Sequence, residues 1–192
     1  HPLSNYYKIL KNYATASTSS LSELRDQAEI AIGGLIDNVK EILTKKGEKM
    51  AFLTLQDLSG SCEVIVFPEV YKKSLSLIKK DTPIFVKGKM NTREDVPKIL
   101  AEEIVPIEQV QSRYTRSIFI ELQTIGLDAD LLKEIQKLLS STKGSTPVYI
   151  HFRDPLGKAA VIYLGEGLKV KTTDELLTSL EKLAGEDHVK IR

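Results

Sequence analysis

The sequence predicts a five-stranded Greek-key barrel followed by a smaller α+β domain. Residues 45–71 carry the first observation: a basic loop, a strand pattern, a Ser-Gly turn, a second strand pattern and a helix that begins at a proline. A long strand pattern precedes this stretch and two more follow it, which completes five strands. Beyond about residue 113, short strand patterns alternate with amphipathic helices, as is typical of an α+β domain.

Length and charge restrict the class of protein. The 192 residues suffice for one large domain or two small ones, and a content of 42% apolar and 28% charged residues is that of a globular protein. The formal net charge is only +1. A nucleic acid would therefore have to bind a local basic patch rather than a general positive field.

Cysteine usage and apolar patterning indicate the compartment. The single cysteine, Cys62, lies within a predicted strand and cannot form an internal disulfide, which indicates a buried thiol in a reducing compartment. No signal peptide or membrane-length apolar run is visible, so we expect a cytoplasmic protein with no membrane partner. The chain begins at His1-Pro2-Leu3 without an initiator methionine, and we expect it to be a fragment of a longer protein.

We divide the chain into a helical leader and linker (1–29), an OB-type barrel domain (30–110) and an α+β C-terminal domain (111–192). Apolar residues recur at helical spacing in the leader, which predicts a short amphipathic helix. Residues 14–22 are small and rich in hydroxyl groups, which favours a linker or a mobile crossing segment. The apolar residues of the leader helix are Tyr6, Ile9, Leu10 and Tyr13.

Five strands and one helix are expected between residues 30 and 107. The predicted strands cover residues 30–43, 50–57, 62–67, 83–90 and 98–105. Gly33-Gly34 interrupts the first, as expected of a strand that must bend to close a barrel. Pro68 begins the helix between strands three and four. A helix at this place, with long loops after strands one and four, is the arrangement of the all-β OB-fold.

The second predicted strand carries the candidate ligand face. Ala51, Leu53 and Leu55 alternate with Phe52 and Thr54. If the first set fills the barrel, the second set faces outward on a strand that presents the ligand surface in an OB-fold. An outward aromatic ring is a stacking platform for a base, worth about 1–3 kcal/mol. The alternative is that Phe52 packs under the leader or against the second domain.

Basic residues in two loops are the other candidate nucleic-acid contacts. Lys45, Lys46 and Lys49 follow strand one and suit phosphates as flexible point charges. The alternative is a hairpin tip with solvated lysines. Arg93, in the loop after strand four, is a further candidate, although acidic neighbours at positions 94 and 95 offset its charge.

The C-terminal domain is predicted to carry two helices on one face of a sheet. The helices cover residues 128–139 and 174–183, and either Thr172 or Thr173 caps the second. Their similar Leu-Leu patterns indicate either a weak internal duplication or simply two amphipathic helices. The predicted strands cover residues 117–122, 147–152, 159–164, 168–171 and 189–191.

Catalytic signals are poor in this sequence. Asp128 and Asp130 have the spacing of a two-metal carboxylate pair, but acids at a predicted helix start are favoured by the helix dipole alone. The three histidines, His1, His151 and His188, form no metal-ligand spacing. We therefore expect no metal, no cofactor and no catalytic residue in this chain.

One resemblance covers the second and third strands. Residues 50–57, followed by Ser59-Gly60, are similar to the OB-type anticodon-binding domain of class II aminoacyl-tRNA synthetases. In that family the aromatic residue at the position of Phe52 stacks on an anticodon base. This resemblance implies an RNA-binding OB module.

A second set of motifs runs along essentially the whole chain. It consists of His1-Pro2-Leu3 with Tyr6, Gly34-Leu35-Ile36, Lys45-Lys46-Gly47 to Phe52, Glu63-Val64 to Phe67-Pro68 and Tyr71, Ala101-Glu102-Glu103-Ile104, Pro147-Val148-Tyr149-Ile150-His151 and the Glu175-Leu176-Leu177 helix. With these motifs the chain looks like the C-terminal region of the bacterial DNA polymerase III alpha subunit. That family is a DNA-directed DNA polymerase, a nucleotidyltransferase, and the resemblance places its active site upstream of this chain. It also implies an OB domain near the single-stranded template and a last domain that docks the tau subunit of the clamp loader.

The sequence therefore predicts a non-catalytic fragment of a main or accessory bacterial replicative polymerase. Its expected partners are single-stranded DNA, the tau subunit and the rest of the alpha subunit. Two alternatives stay open, namely a tRNA-binding module of synthetase type and an OB barrel that serves as a protein-interaction scaffold.

Overall fold

The structure is a computed structural model that describes residues 2–94 and 96–192. The chain divides into two compact units, one ending at Val110 and the other running from Gln111 to Arg192. The predictions that involve His1 and Asp95 lie outside the described residues. None of the helices in the described part of the chain has the length and apolar character needed to cross a bilayer.

The first unit is built around a closed five-stranded barrel, as the sequence predicts. The strand order is β1-β2-β3-β5-β4, with β3 and β5 parallel and all other neighbours antiparallel. Helix α2 (Pro68–Ser74) joins β3 to β4 and begins at the predicted proline. The OB-fold is therefore confirmed. The strands are β1 (Glu29–Leu43), β2 (Lys49–Gln56), β3 (Ser61–Val66), β4 (Pro83–Asn91) and β5 (Lys98–Pro106).

Strand β1 closes the barrel because it pairs with two partners. Its first half pairs with β4 and its second half with β2, and the register with β2 shifts between Ile36 and Asn38. At Gly34 an added Cβ would lie 2.7 Å from the carbonyl oxygen of Gln56, so only glycine fits where the strand turns from one partner to the other. This explains the glycine pair predicted to bend the strand.

The barrel interior is filled by alternate residues of its strands. Ala51, Leu53 and Leu55 are fully buried, and Val64 and Val66 of β3 meet them in the same core. Burying a leucine or valine side chain contributes about 1.5–3 kcal/mol, so this set fixes which side of β2 faces inward. A one-residue slip would expose the whole set to water.

The leader packs on the barrel and is not a loose linker. Helix α1 (Tyr7–Tyr13) is followed by a 3-10 helix (Thr18–Glu23) within the segment expected to be mobile. The amide and hydroxyl of Thr18 donate to the two carboxylate oxygens of Asp57, at 2.7 and 2.5 Å. These contacts join the leader to the β2–β3 turn.

The second unit is an α+β layer of one sheet with two helices on one face. The sheet order is β10-β6-β8-β9, and β6 is parallel to β8 while the outer pairs are antiparallel. Leucines and isoleucines of the sheet and helices share one core. The remaining elements are α3 (Val110–Tyr114), β6 (Ile118–Gln123), α4 (Ala129–Ser141), β7 (Lys143–Thr146), β8 (Val148–Arg153), β9 (Ala159–Tyr163), α5 (Asp174–Ala184) and β10 (Val189–Ile191).

The strand predicted over residues 168–171 is wrong. A 3-10 turn (Glu166–Leu168) occupies its start, and Val170 makes only isolated bridges to Lys143 and Thr146. Val170 is fully buried, so its apolar character reflects one anchoring contact rather than a strand. Of the two proposed caps, Thr173 is the one that accepts a hydrogen bond from the helix, at 3.2 Å from the Leu176 amide.

Candidate nucleic-acid interface

The outer face of β2 presents Phe52 and Thr54, the two residues predicted to point away from the core. Phe52 is half-buried and lies between Lys40 of β1 and Ile65 of β3 in the strand register. Directly opposed residues of antiparallel strands have Cβ atoms about 4.5–5.5 Å apart. We call the row formed by Lys40, Phe52 and Ile65 the outer strip.

Lys40 is the part of the outer strip that the sequence analysis missed. It is exposed, and no ion pair to it is found within residues 2–94 and 96–192. It is directly opposite Phe52 in the antiparallel register of β1 and β2, so its side chain starts from the same face of the sheet as the Phe52 ring. Regular alternation from Ile36 would put Lys40 inside the barrel, and the bulge at Asp37 turns it outward.

The loop between β1 and β2, residues 44–48, carries positive charge near the outer strip, because it joins the end of the strand that holds Lys40 to the start of the strand that holds Phe52. A turn holds it, with the Thr44 amide donating to the Glu48 carbonyl at 2.8 Å and Gly47 at φ +77°. Lys45 and Lys46 are exposed at its tip, and among the described residues neither has an acidic partner. We call residues 44–48 the basic loop.

An ion pair removes the one acidic charge of the basic loop. Lys72 of α2 donates to Glu48 at 2.9 Å, so Glu48 does not compensate Lys45 and Lys46. Lys49 is also exposed, but it is three positions from Phe52 and therefore lies on the opposite side of β2. Lys45 and Lys46 therefore lie in the loop next to the outer strip. Lys49 lies on the other side of β2 from the Phe52 ring.

The loop between β4 and β5 lies near the start of β3, because β5 starts beside the start of that strand, whereas the basic loop lies near the end of β3. Arg93 lies there, with its Nε 3.6 Å from the Asp26 carboxylate. Asp26 also accepts the Thr92 amide at 3.1 Å, and this hydrogen bond is the main reason that its pKa is lowered. Arg93 is therefore partly neutralised and is the weakest of the predicted contacts.

A carboxylate close to Phe52 is compensated within the barrel. Glu63 is opposite Thr54 on the outer face and lies 3.2 Å from the ammonium of Lys98. Lys98 also contacts Glu94 at 2.5 Å, and hydrogen bonds to Glu94 and then to Glu63 raise its pKa. Lys98 therefore stays charged and reduces the repulsion that Glu63 would exert on a phosphate.

Phe67 is a second outward ring that the sequence analysis did not assign. It follows Glu63 and Ile65 on the same side of β3 and is 47% exposed. With Pro68 and Lys72 it lines a shallow depression of 520 Å³ beside the basic loop. Continuing the alternation one residue past β3 would have identified it. Two rings and a cluster of lysines now share one end of the barrel face.

The outer face of β2 and β3 combines aromatic rings with exposed lysines. Aromatic rings next to flexible lysines are the elements with which proteins hold single-stranded nucleic acid without reading its sequence. Burial raises the pKa of the nearby Cys62 thiol to about 12, so it is a poor nucleophile. Within the described residues no group of three or more His, Cys, Asp or Glu side chains could hold a metal ion.

The aspartates considered as a metal pair have a structural role. Asp128 caps α4 and accepts the Asp130 amide at 2.9 Å. His188 is likewise engaged, with its Nδ1 2.7 Å from the Ala184 carbonyl oxygen. These contacts favour the interpretation that both groups stabilise the ends of helices.

Comparison with known proteins identifies a family and several relatives that this chain resembles. Residues 30–107 match the anticodon-type family described as an OB-fold nucleic acid binding domain. The chain is 29% identical over its full length to DNA polymerase III subunit alpha of Haemophilus influenzae and 28% identical to that of Bacillus subtilis. It spans 17% of the length of each. The resemblance to this polymerase subunit is therefore confirmed.

A solved domain of replication protein A from Methanococcus maripaludis also matches. It is 19% identical, covers 44% of this chain and 89% of that domain, and has a TM-score of 0.37. The fold assignment rests on the barrel topology and on the family match rather than on this neighbour.

Proposed function

We propose that this chain is a non-catalytic part of a bacterial replicative DNA polymerase alpha subunit and that its OB domain holds single-stranded template DNA. The observation that carries the proposal is the outward, half-buried Phe52 ring, which lies between Lys40 and Ile65 in the strand register, on a strand that starts at the end of the basic loop. The full-length similarity to a segment of the polymerase subunit supports DNA as the nucleic acid. In the parent protein, the polymerase reaction would be carried out elsewhere in the chain.

The contacts act in two ways. Lysines bind phosphates and release counterions, so affinity falls as the salt concentration rises. The Phe52 ring stacks on a base, which contributes about 1–3 kcal/mol and tolerates every base. A site of this size binds weakly alone, and tethering to a polymerase that already holds the template raises the effective concentration of DNA at it.

The second unit is proposed to dock a protein, the tau subunit of the clamp loader. This follows from the resemblance of the whole chain to the polymerase subunit, and an α+β layer with its own core provides a rigid surface for such contacts. The remaining part of the alpha subunit would be the third partner.

The second candidate function is binding to RNA. The match of residues 30–107 to the anticodon-type OB family favours it. The resemblance of residues 50–57 to the anticodon-binding domain of class II synthetases implies a base-stacking role for Phe52. RNA binding predicts preference for a structured loop, whereas template binding predicts no such preference.

Fluorescence anisotropy tests these functions directly. The chain is titrated against labelled oligo-dT, an RNA anticodon stem-loop and duplex DNA, at low and at physiological salt. We expect salt-sensitive binding to oligo-dT over duplex DNA. Preference for the RNA loop would instead establish RNA binding as the function. No binding to any probe at low salt would favour the alternative in which the barrel is a protein-interaction scaffold.

A triple variant tests the lysines. Replacing Lys45, Lys46 and Lys49 by alanine should reduce the slope of log affinity against log salt by about 0.7 for each lost contact to single-stranded DNA. The control is an alanine variant of three exposed lysines of the second unit, which carries the same change of net charge. These are Lys137, Lys143 and Lys182. Equal slopes of log affinity against log salt for both variants would show that the basic loop does not contact the DNA.

A further inference from the structure

Strand β9 is an uncovered edge of the second unit's sheet. Its five residues, Ala159–Tyr163, are all exposed, and it pairs with β8 on one side only. Val161, Ile162 and Tyr163 are 55%, 49% and 41% exposed, which is unusual for three consecutive apolar residues. Val161 and Tyr163 lie on one face of the sheet and Ile162 on the other. The strand thus offers apolar groups on both faces.

The backbone of β9 also offers hydrogen bonds at this edge. The Leu164 amide donates to the Val148 carbonyl at 3.0 Å and the Asp154 amide to the Lys158 carbonyl at 2.9 Å, which fixes which residues bond to β8. By alternation, the amides and carbonyls of Ala159, Val161 and Tyr163 point away from β8. The described residues supply no partner for them.

The opposite edge of the sheet is protected. Strand β10 has only three residues, and its Lys190 contacts Glu121 at 3.7 Å. The Arg192 carbonyl just beyond it accepts the Ser117 amide at 3.0 Å. Short length and an edge lysine are devices that prevent strand addition, and β9 has neither a charge nor a proline.

An aromatic ladder runs across the sheet and ends at this edge. The Phe119 and Tyr149 rings are stacked with centroids 5.0 Å apart, and Tyr149 and Tyr163 are 5.3 Å apart. The Arg192 guanidinium lies 4.8 Å from the Phe119 centroid at the far end. Because the rings cover one another, they do not present open faces to bases. Tyr163 is the last ring of the ladder at the β9 edge; it is 41% exposed, and its hydroxyl donates to Glu166 at 2.7 Å.

We propose that β9 binds an extended segment of a partner protein, which adds to the sheet as a fifth strand. The proposal rests on the protein-docking role proposed for the second unit. The partner segment carries apolar side chains on both faces, with an aromatic residue or arginine opposite Tyr163 to continue the ladder. Lys158, just before β9, is exposed, and although its backbone amide donates to the Asp154 carboxylate at 2.7 Å, its ammonium group makes no ion pair within the described residues, so an acidic residue opposite it completes the match.

A second copy of this chain fits the edge less well. Antiparallel self-pairing about Val161 would place Tyr163 opposite Ala159 of the other copy and Lys158 opposite Leu164. In this pairing the aromatic ladder of each copy would gain no further ring, and Lys158 of each copy would gain no acidic partner. A different protein with the stated pattern supplies both a ring or arginine opposite Tyr163 and an acidic residue opposite Lys158.

A single backbone change tests the proposal. In Val161→Pro the outward amide is removed, while the bonds between β8 and β9 are kept because they use other residues. We expect its affinity for purified tau subunit, measured by biolayer interferometry on the full 192-residue chain, to fall about tenfold or more, roughly 1.4 kcal/mol per factor of ten. The control, Val161→Thr, keeps the amide and the β-branched shape and should bind as the unchanged chain does.

The possible results distinguish strand addition at β9 from protein docking by another surface of the second unit. Loss in Val161→Pro alone, with unchanged thermal unfolding and with new hydrogen-exchange protection of β9 on binding, supports strand addition. Unchanged binding of Val161→Pro overturns strand addition and leaves docking standing. If the unchanged chain does not bind tau, the docking role fails and the inference with it. A dimer of this chain that Val161→Pro dissociates, seen by light scattering, would assign the edge to a second copy.

Discussion

Phe52 faces outward because its neighbours on both sides along β2 are fully buried. The strand period of two leaves no other side for its ring, so this part of the site could be predicted from sequence. Half-burial between Lys40 and Ile65 holds the ring without covering it. It is therefore fixed before a base arrives, which lowers the entropy lost on binding.

The first prediction concerns this ring. Phe52→Ala should weaken binding to oligo-dT by about 1–3 kcal/mol, the value of one lost stacking contact. Phe52→Tyr keeps a ring and should bind nearly as the unchanged chain does. Anisotropy titration at low salt measures both, with circular dichroism to verify folding. Equal affinity of the alanine variant would show that Phe52 is only a packing residue.

The second prediction compares two lysines of equal charge. Lys40 shares the face of Phe52, whereas Lys49 lies on the other side of β2. Lys40→Ala should therefore reduce the affinity for oligo-dT and its salt dependence more than Lys49→Ala, although both remove one positive charge. Anisotropy titrations of both variants with oligo-dT at two salt concentrations measure this difference. A larger effect of Lys49→Ala would move the DNA path from the strip to the end of the barrel.

At the level of elements, the strand patterns of the barrel were predictable and its irregularities were not. The bulge at Asp37 turns Lys40 outward, and nothing in the local pattern of β1 marks it because polar and charged residues occur on both sides of that stretch. The leader was expected to be loose because hydroxyl-rich segments usually are. The bonds that fix it join Thr18 to Asp57, which are far apart in sequence.

Asp57 links three elements, the leader, β2 and the following turn. Desolvation raises the pKa of its carboxyl, but hydrogen bonds from Thr18 and Ser59 outweigh this, so the pKa is lowered in the folded chain. A lowered pKa means that the folded state favours the charged carboxylate. Its contribution to stability is thus present above the unfolded value of about 3.9 and is lost as the pH falls through the folded value.

The third prediction follows from the lowered pKa of the Asp57 carboxyl in the folded chain. Asp57→Asn should lower the free energy of unfolding at pH 7 by about 1–3 kcal/mol, because the donors of Thr18 and Ser59 lose a charged acceptor. The variant should also lose less stability than the unchanged chain between pH 5 and pH 3. Urea unfolding at both pH values measures this. Asp37→Asn, an exposed aspartate of the same barrel, is the control.

For the molecule as a whole, composition predicts that any contact with nucleic acid is local, but not where on the surface it lies. A net charge of +1 excludes a general basic surface, and the structure concentrates uncompensated lysines beside two aromatic rings. The pairing of Lys72 with Glu48 depends on the fold, and so does the exposure of β9. Sequence patterns show which residues alternate, whereas the neighbours that neutralise or cover them are set by tertiary contacts.

The two units have separate hydrophobic cores, and this leads to the last prediction. Substitutions with no shared contacts usually add within about 0.3–0.5 kcal/mol. Phe52→Ala should therefore weaken oligo-dT binding without changing the affinity for tau, and Val161→Pro should do the reverse. The double variant should show both losses, each equal to that of the single variant. If instead either substitution weakened both interactions, the DNA and protein sites would be energetically coupled, and each would have to be described with the other ligand present.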